Sequence, residues 1–96
     1  MKIIDEQLLQ EFREKTSCEW CKRRIFTGLQ PHHIFTRGAG RLDIRCNLVA
    51  LCIVCHGEVH AGVIMREDLL TIVAVREGTP QDEIEREIYR LRRLRK

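Results

Sequence analysis

The sequence predicts a small α+β domain that is stabilised by a bound metal ion. Helical periodicity at both ends of the 96-residue chain flanks a central region of short apolar segments of strand length. Two C-x-x-C pairs frame that central region, and a chain this short buries only a modest core. We therefore expect helices around short strands, with a metal site adding stability that the core does not supply.

Composition indicates a folded protein in a reducing compartment. Hydrophobic residues make up 44% of the chain and charged residues 32%, which argues against a disordered tail or a fibrous repeat. Five cysteines, four of them in C-x-x-C pairs, fit metal ligation better than a disulfide framework. No signal peptide or membrane-length apolar run is evident. We expect one cytoplasmic domain, residues 1–96, with no membrane contact.

Three flanking helices are predicted from apolar residues at helical spacing. They span about residues 4–15, 66–76 and 80–95. Gly78 ends the second helix, and a proline at the first helical position starts the third. Their apolar stripes predict packing against the core, and the terminal stripes make a homodimer the oligomeric state to test.

Short strands are expected on either side of a glycine-bearing turn. Alternating apolar residues from Ile25 to Phe35 predict two short strands, or one strand and an extended loop. The expected turn, Gly38-Ala39-Gly40, would have a backbone that can approach a ligand closely, and Arg37 and Arg41 flank it. The apolar run Leu48–Leu51 is of strand or turn length.

A dense group of metal-binding residue types follows that run. If a helix starts at Cys52, the thiol of Cys55 lies close to it. His56 and His60 are four residues apart and project from one face of the same helix. Thiolates suit a closed structural zinc site, whereas imidazoles without a thiolate neighbour suit an ion that keeps open positions. One short helix is therefore predicted to serve two metal sites.

Four cysteines are predicted to hold a structural zinc ion, because two C-x-x-C pairs supply four soft ligands for a tetrahedral site. They are Cys18, Cys21, Cys52 and Cys55. Trp20, inside the first pair, is expected to shield the site. The isolated spacing of Cys46 indicates an unligated, partly buried thiol, with replacement of one of the four as the alternative.

All the histidines of the chain fall into two groups around these cysteines. They are His32, His33, His56 and His60. Scattered core or surface histidines would not group in this way, so a metal site with a spare base is the better explanation. Adjacent residues of an extended segment point to opposite sides, so His32 and His33 are not both expected to act as the base.

In their order and spacing these motifs resemble the HNH endonuclease family in its four-cysteine form. The resemblance covers about residues 18–62. The matching segments are Cys18-x-x-Cys21, His32-His33-Ile34, Gly38-Ala39-Gly40, Asn47-Leu48 and Leu51-Cys52-x-x-Cys55-His56-x-x-x-His60. The resemblance implies a ββα-metal (His-Me finger) core, in which two antiparallel strands and a helix surround one divalent ion, here braced by the zinc knuckle.

The resemblance also implies a role for each site residue. His33 is expected to be the general base that takes a proton from the attacking water. His32, His56 and His60 are expected to hold the catalytic divalent ion. Asn47 is expected to stiffen the loop and orient His33, although the corresponding asparagine binds the metal in some relatives. Many relatives carry an acid at the position of His32, so three imidazoles leave Mg²⁺, Mn²⁺, Ni²⁺ and Zn²⁺ open.

The function implied by the resemblance is metal-dependent hydrolysis of DNA phosphodiester bonds. The net charge of +3 is too small for binding to nucleic acid by charge alone. Arg37, Arg41 and the basic carboxyl-terminal helix are nevertheless expected to contact phosphates, with a solvated surface as the alternative for each cluster. A non-catalytic zinc-knuckle module that binds nucleic acid is the alternative function, and a protein-interaction adaptor is a third.

Overall fold

A two-stranded antiparallel sheet followed at once by a helix lies at the centre of the fold. The computed structural model describes residues 3–25, 28–35 and 41–93. Their α-helices and β-strands, in chain order, are α1 (Glu6–Arg13), β1 (Gln30–His33), β2 (Leu48–Leu51), α2 (Ile53–His60), α3 (Arg66–Glu77) and α4 (Gln81–Arg93). The fold class is therefore mixed α+β, as the sequence predicts.

The register of the sheet places the two adjacent histidines on opposite faces. His32 pairs with Val49 and His33 pairs with Leu48, and directly paired residues lie on the same face of a sheet. Leu48 packs in a small cluster with Phe12 of α1, whereas Val49 belongs to the larger core. His33 therefore lies on the α1 side of the sheet and His32 on the other side, as expected of neighbours in a strand.

Helices α3 and α4 cover the larger core with their apolar faces. The buried residues of the two helices are Leu69, Leu70, Val73, Ile84, Ile88 and Leu91. Gly78 follows α3 with a φ of 66°, a left-handed conformation that glycine adopts without steric cost and that stops the helix. None of the helices in the described residues is long and apolar enough to cross a lipid bilayer.

Helix α1 is shorter than the span of 4–15 predicted from the sequence. Asp5 caps its start, because the Asp5 side chain accepts a hydrogen bond of 3.0 Å from Leu8 N–H. Ile4 therefore precedes the helix and is 55% exposed. Ile3 forms an isolated parallel bridge with Leu42, which brings the amino-terminal segment beside the segment that follows residue 40.

Candidate metal centre and cleft

Four cysteine thiols converge on a space of the size that a zinc ion needs. The Sγ atoms of Cys18, Cys21, Cys52 and Cys55 all lie within 4.8 Å of one another. The sulfurs of Cys21 and Cys52 are 3.9 Å apart, close to the roughly 3.8 Å between thiolates that bind zinc tetrahedrally at about 2.3 Å. A disulfide would hold them about 2.0 Å apart. The donor set therefore fits a zinc ion.

Short-range hydrogen bonds shape each cysteine pair. Cys18 N–H donates to Arg23 O, and Lys22 N–H donates to Cys18 O, both at 3.0 Å, which folds the first pair into a tight turn. Lys22 has a φ of 66°, in the left-handed region where glycine is usual. At the start of α2, Cys52 Sγ accepts a hydrogen bond of 3.5 Å from Cys55 N–H. The geometry of both pairs is thus set locally.

The thiols differ in how readily they lose a proton. Burial opposes ionisation of Cys18, but hydrogen bonds from backbone groups, that of Cys52 foremost, outweigh it and lower the pKa of Cys18 to about 7. Burial and the neighbouring thiols raise the pKa of Cys55. Cys18 therefore ionises before Cys55, and four thiolates this close together need a cation among them.

A partly buried ion pair ties the first cysteine pair to α3, and no sequence pattern pointed to it. Arg76 Nη1 donates to both carboxylate oxygens of Glu19, at 2.9 and 3.0 Å. Glu19 Oε2 also accepts a hydrogen bond of 2.7 Å from Ala50 N–H. Because Glu19 directly follows Cys18, these contacts fix the knuckle against both β2 and α3.

The sequence also carries predictions for Cys46 and Trp20. Cys46 is half-buried and lies outside the group of converging thiols, and burial raises its pKa. Trp20 is 37% exposed, and its shielding of the thiols stays a prediction. The larger core packs around the buried thiols of Cys18, Cys52 and Cys55.

Three imidazole rings come together between β1 and α2. The ring centroids are 5.3 Å apart for His32 and His56, 4.7 Å for His56 and His60, and 6.2 Å for His32 and His60. Rings that bind one ion through nitrogens about 2.0–2.1 Å away have centroids roughly 4.5–6 Å apart. The spacing is close to that of a shared ion, but within the described residues only the four thiols have donor atoms that already converge.

Two of these imidazoles are held in the neutral form. Burial, followed by the closeness of His56 and His60, lowers the pKa of His32 to about 4. Burial and the neighbouring His60 also lower the pKa of His56. A metal ion binds the free lone pair of a neutral imidazole, so His32 and His56 are available as ligands at neutral pH.

His33 is bonded to a buried acid on the α1 side of the sheet. Its Nε2 atom lies 2.7 Å from Asp43 Oδ1, and the Asp43 side chain has 0% exposure. Burial opposes the ionised form of Asp43, but hydrogen bonds from Arg41, the Asp5 N–H and the imidazole outweigh it and lower the pKa of this carboxyl. An ionised carboxylate only accepts hydrogen bonds, so His33 Nε2–H donates and Nδ1 is left as an acceptor.

Arg41, which was expected to contact DNA phosphates, is engaged within the protein. Its Nε donates to both oxygens of Asp43 at 3.0 Å, and its Nη2 donates to Glu6 Oε2 at 2.9 Å. Two carboxylates therefore already compensate this cation, and a phosphate contact by Arg41 stays a prediction. Arg37 lies outside the described residues, as does the glycine-bearing turn beside it.

Asn47 is fully buried and holds the backbone on both sides of residues 36–40. Its Oδ1 accepts a hydrogen bond of 2.8 Å from Phe35 N–H, and its Nδ2 donates to Phe35 O at 3.2 Å. Nδ2 also donates to Leu42 O at 3.0 Å. Both polar atoms of the side chain are engaged with backbone, an arrangement that suits stiffening of the loop and not metal binding.

A cleft opens where β1, the end of α2 and the start of α3 meet. Its volume is about 410 Å³, and its lining includes His32, His33, His60, Met65 and Arg66. Two histidines whose side chains start on opposite faces of the sheet, His32 and His33, therefore both line this space. Arg66 is a second site residue, after Asp43, that no sequence motif singled out.

Three comparisons with known proteins were negative. No protein-family model matches the chain, and no curated protein or solved structure matches it. The resemblance to HNH endonucleases therefore rests on the motif residues of this chain, and membership of that family stays a prediction.

Proposed function

We propose that this protein is a metal-dependent endonuclease of the HNH type that hydrolyses DNA phosphodiester bonds. The observation that carries the proposal is the cleft, which His33 lines together with His32 and His60 of the three-imidazole group. The element order β1, β2, α2 supports the ββα-metal core that the motif implies. The four-thiol group beside it supports the zinc knuckle of the four-cysteine form.

His33 is the proposed general base. Its contact of 2.7 Å with Asp43 holds the ring through Nε2 and leaves Nδ1 to accept a proton from the attacking water. A positioned imidazole accepts a proton at neutral pH and typically contributes roughly 10²–10⁴-fold to the rate. Asn47 supports this geometry by holding the backbone just after β1.

His32, His56 and His60 are the proposed ligands of the catalytic divalent ion. When bound, the ion supplies charge neutralisation at the scissile phosphate and at the leaving 3′ oxygen. Three imidazoles without a carboxylate favour Mn²⁺, Ni²⁺ or Zn²⁺ over Mg²⁺, which prefers oxygen ligands. The thiols take a separate structural zinc ion, because a closed set of four sulfur ligands leaves no position for substrate.

Cleavage of supercoiled plasmid DNA tests the proposal. Zinc-loaded protein is mixed with plasmid and, in separate reactions, with Mg²⁺, Mn²⁺, Ni²⁺ or additional Zn²⁺. We expect nicked or linear products that depend on the added ion, and cutting by His33→Ala that is slower by roughly a hundredfold or more. Circular dichroism and zinc content establish that the variant is folded. Retained cutting by a folded His33→Ala protein would remove His33 from its proposed role.

A non-catalytic zinc-knuckle module that binds nucleic acid is the second candidate. It is favoured by the convergence of the thiol donor atoms alone among the described residues. Metal titration separates the two candidates. A second ion that binds to zinc-loaded protein and is lost in His56→Ala favours the nuclease, whereas DNA binding with no second ion and no cutting favours the module.

A further inference from the structure

Arg66 is a cation at the rim of the cleft that none of the roles above uses. It is the first residue of α3, is exposed, and lines the cleft beside the histidines. In the part of the chain that the structure describes, no carboxylate pairs with it. Arg41 and Arg76, by contrast, are bound to carboxylates. The charge of Arg66 is therefore available to a ligand in the cleft.

An aromatic ring positions the guanidinium of Arg66. The guanidinium carbon lies 4.3 Å from the centroid of Phe35, within the range of a cation–π contact. Phe35 is 2% exposed, and Asn47 bonds to both its N–H and its C=O. Tyr89 of α4 packs edge-to-face on the same ring, with centroids 5.9 Å apart. Arg66 thus rests on a fixed platform, which reduces the entropy that ligand binding costs.

We infer that Arg66 binds a DNA phosphate at the α3 side of the cleft and holds the strand against the imidazoles. The inference rests on the proposed function, because it takes a phosphodiester as the ligand. Guanidinium presents a planar fork of donors that matches phosphate oxygens, and stacking on a ring leaves those donors free. A lysine side chain would supply the same charge but not this planar arrangement of donors.

Two acidic residues follow Arg66 in the sequence and limit how strongly its positive charge attracts DNA. Asp68 Oδ2 accepts a hydrogen bond of 2.9 Å from Met65 N–H at the start of α3. Glu67 is exposed to solvent. The positive potential around Arg66 is therefore reduced. Arg66 provides one phosphate contact and not a broad electropositive surface.

Binding of a short DNA duplex, measured by fluorescence anisotropy at several salt concentrations without added divalent ion, tests the inference independently of cutting. Arg66→Ala is expected to raise the dissociation constant roughly tenfold, the effect of losing one hydrogen bond to a charged group. The slope of log K against log salt should fall by about 0.9, the value for one phosphate. Arg66→Lys should lie between wild type and Arg66→Ala.

Arg13→Ala is the matched control, because it removes the same charge from an exposed position at the end of α1. Helix α1 packs on the sheet face opposite the core that includes Cys55 of α2. Equal effects of Arg66→Ala and Arg13→Ala on the dissociation constant and the salt slope would overturn the inference and leave the endonuclease proposal standing. Failure of the wild type to bind DNA even at low salt would overturn both.

Phe35→Leu tests the platform, because leucine fills apolar space but has no ring. We expect it to weaken DNA binding by part of the Arg66→Ala loss. Added to Arg66→Ala, it should weaken binding no further, since its effect passes through Arg66. An effect of Phe35→Leu that is equal in both backgrounds would mean that Phe35 supports the fold and does not position Arg66.

Discussion

His33 Nε2 and Asp43 Oδ1 lie 2.7 Å apart, although the two residues are ten positions apart in the chain. The contact orients the proposed base and determines which of its nitrogens carries the proton. Arg41 and the Asp5 N–H complete the hydrogen bonds to the carboxylate. A buried acid from the segment after the turn therefore holds the imidazole of β1.

Removing this carboxylate should lower both stability and cutting. Asp43→Ala leaves Arg41 and His33 without their acceptor, which should cost about 2–3 kcal/mol of the free energy of unfolding. Asp43→Asn keeps an oxygen acceptor and should therefore lose less stability and less cutting activity than Asp43→Ala. Urea unfolding and plasmid cutting measure the two effects. A protein with Asp43→Ala that is as stable as the wild type would show that the network does not support the fold.

The same carboxylate should make stability depend on pH in acid. The folded protein lowers the pKa of Asp43, so its contribution is fully present above the unfolded value of about 4 and is lost as pH falls through the folded value. The difference in free energy of unfolding between wild type and Asp43→Asn should therefore shrink below about pH 4. Zinc loss in acid affects both proteins, so the difference isolates Asp43. A difference that does not change with pH would contradict this.

Arg76→Ala should destabilise the protein strongly. Arg76 holds Glu19 in the knuckle, 57 positions away in sequence, and the two side chains are 17% and 11% exposed. Removing one partner of such a pair costs roughly 3 kcal/mol. The control, Arg86→Ala, breaks an i,i+4 pair with Asp82 on the surface of α4 and should cost less than about 0.5 kcal/mol. Urea unfolding with zinc bound compares them, and equally small losses would contradict the expectation.

Loss of one thiol should unfold the domain. Cys55→Ser leaves three sulfur ligands, and we expect a chain with so modest a core to depend on a zinc ion held by all four thiols. We expect loss of both zinc and far-ultraviolet circular dichroism. Cys46→Ser, outside the thiol group, should keep about one zinc per chain and the fold. A folded, zinc-free Cys55→Ser protein would mean that the thiols are not what stabilises the domain.

Local spacing made the thiol group and the longer helices predictable from the sequence. The C-x-x-C pairs are shaped by hydrogen bonds within a few residues, such as that between Cys18 and Arg23. Helix α3 covers Arg66–Glu77 where 66–76 was predicted, because its apolar spacing is regular and Gly78 ends it. Such patterns involve residues that are close in sequence, so they do not depend on which distant segments pack together.

Contacts between distant residues could not be predicted in the same way. An acid and an arginine beside a predicted glycine-bearing turn usually face solvent. Here the amino-terminal segment, bridged to Leu42 at Ile3, supplies the Asp5 N–H that bonds the buried Asp43 carboxylate. The position of Asp43 between two apolar residues was the one indication in the sequence that its side chain is buried. Arg41 was expected to contact a phosphate because an arginine in such a position usually faces solvent. Arg66, a cation that lines the cleft, comes instead from a helix outside the motif.

We propose separate ions and separate duties for the thiols and the imidazoles of this protein, and His56→Ala tests that division most directly. Zinc content, circular dichroism and plasmid cutting with added Mn²⁺ are measured on one preparation. We expect about one zinc per chain, an unchanged spectrum and cutting slower by roughly a hundredfold. Unfolding with loss of zinc, as expected for Cys55→Ser, or cutting at the wild-type rate would contradict it.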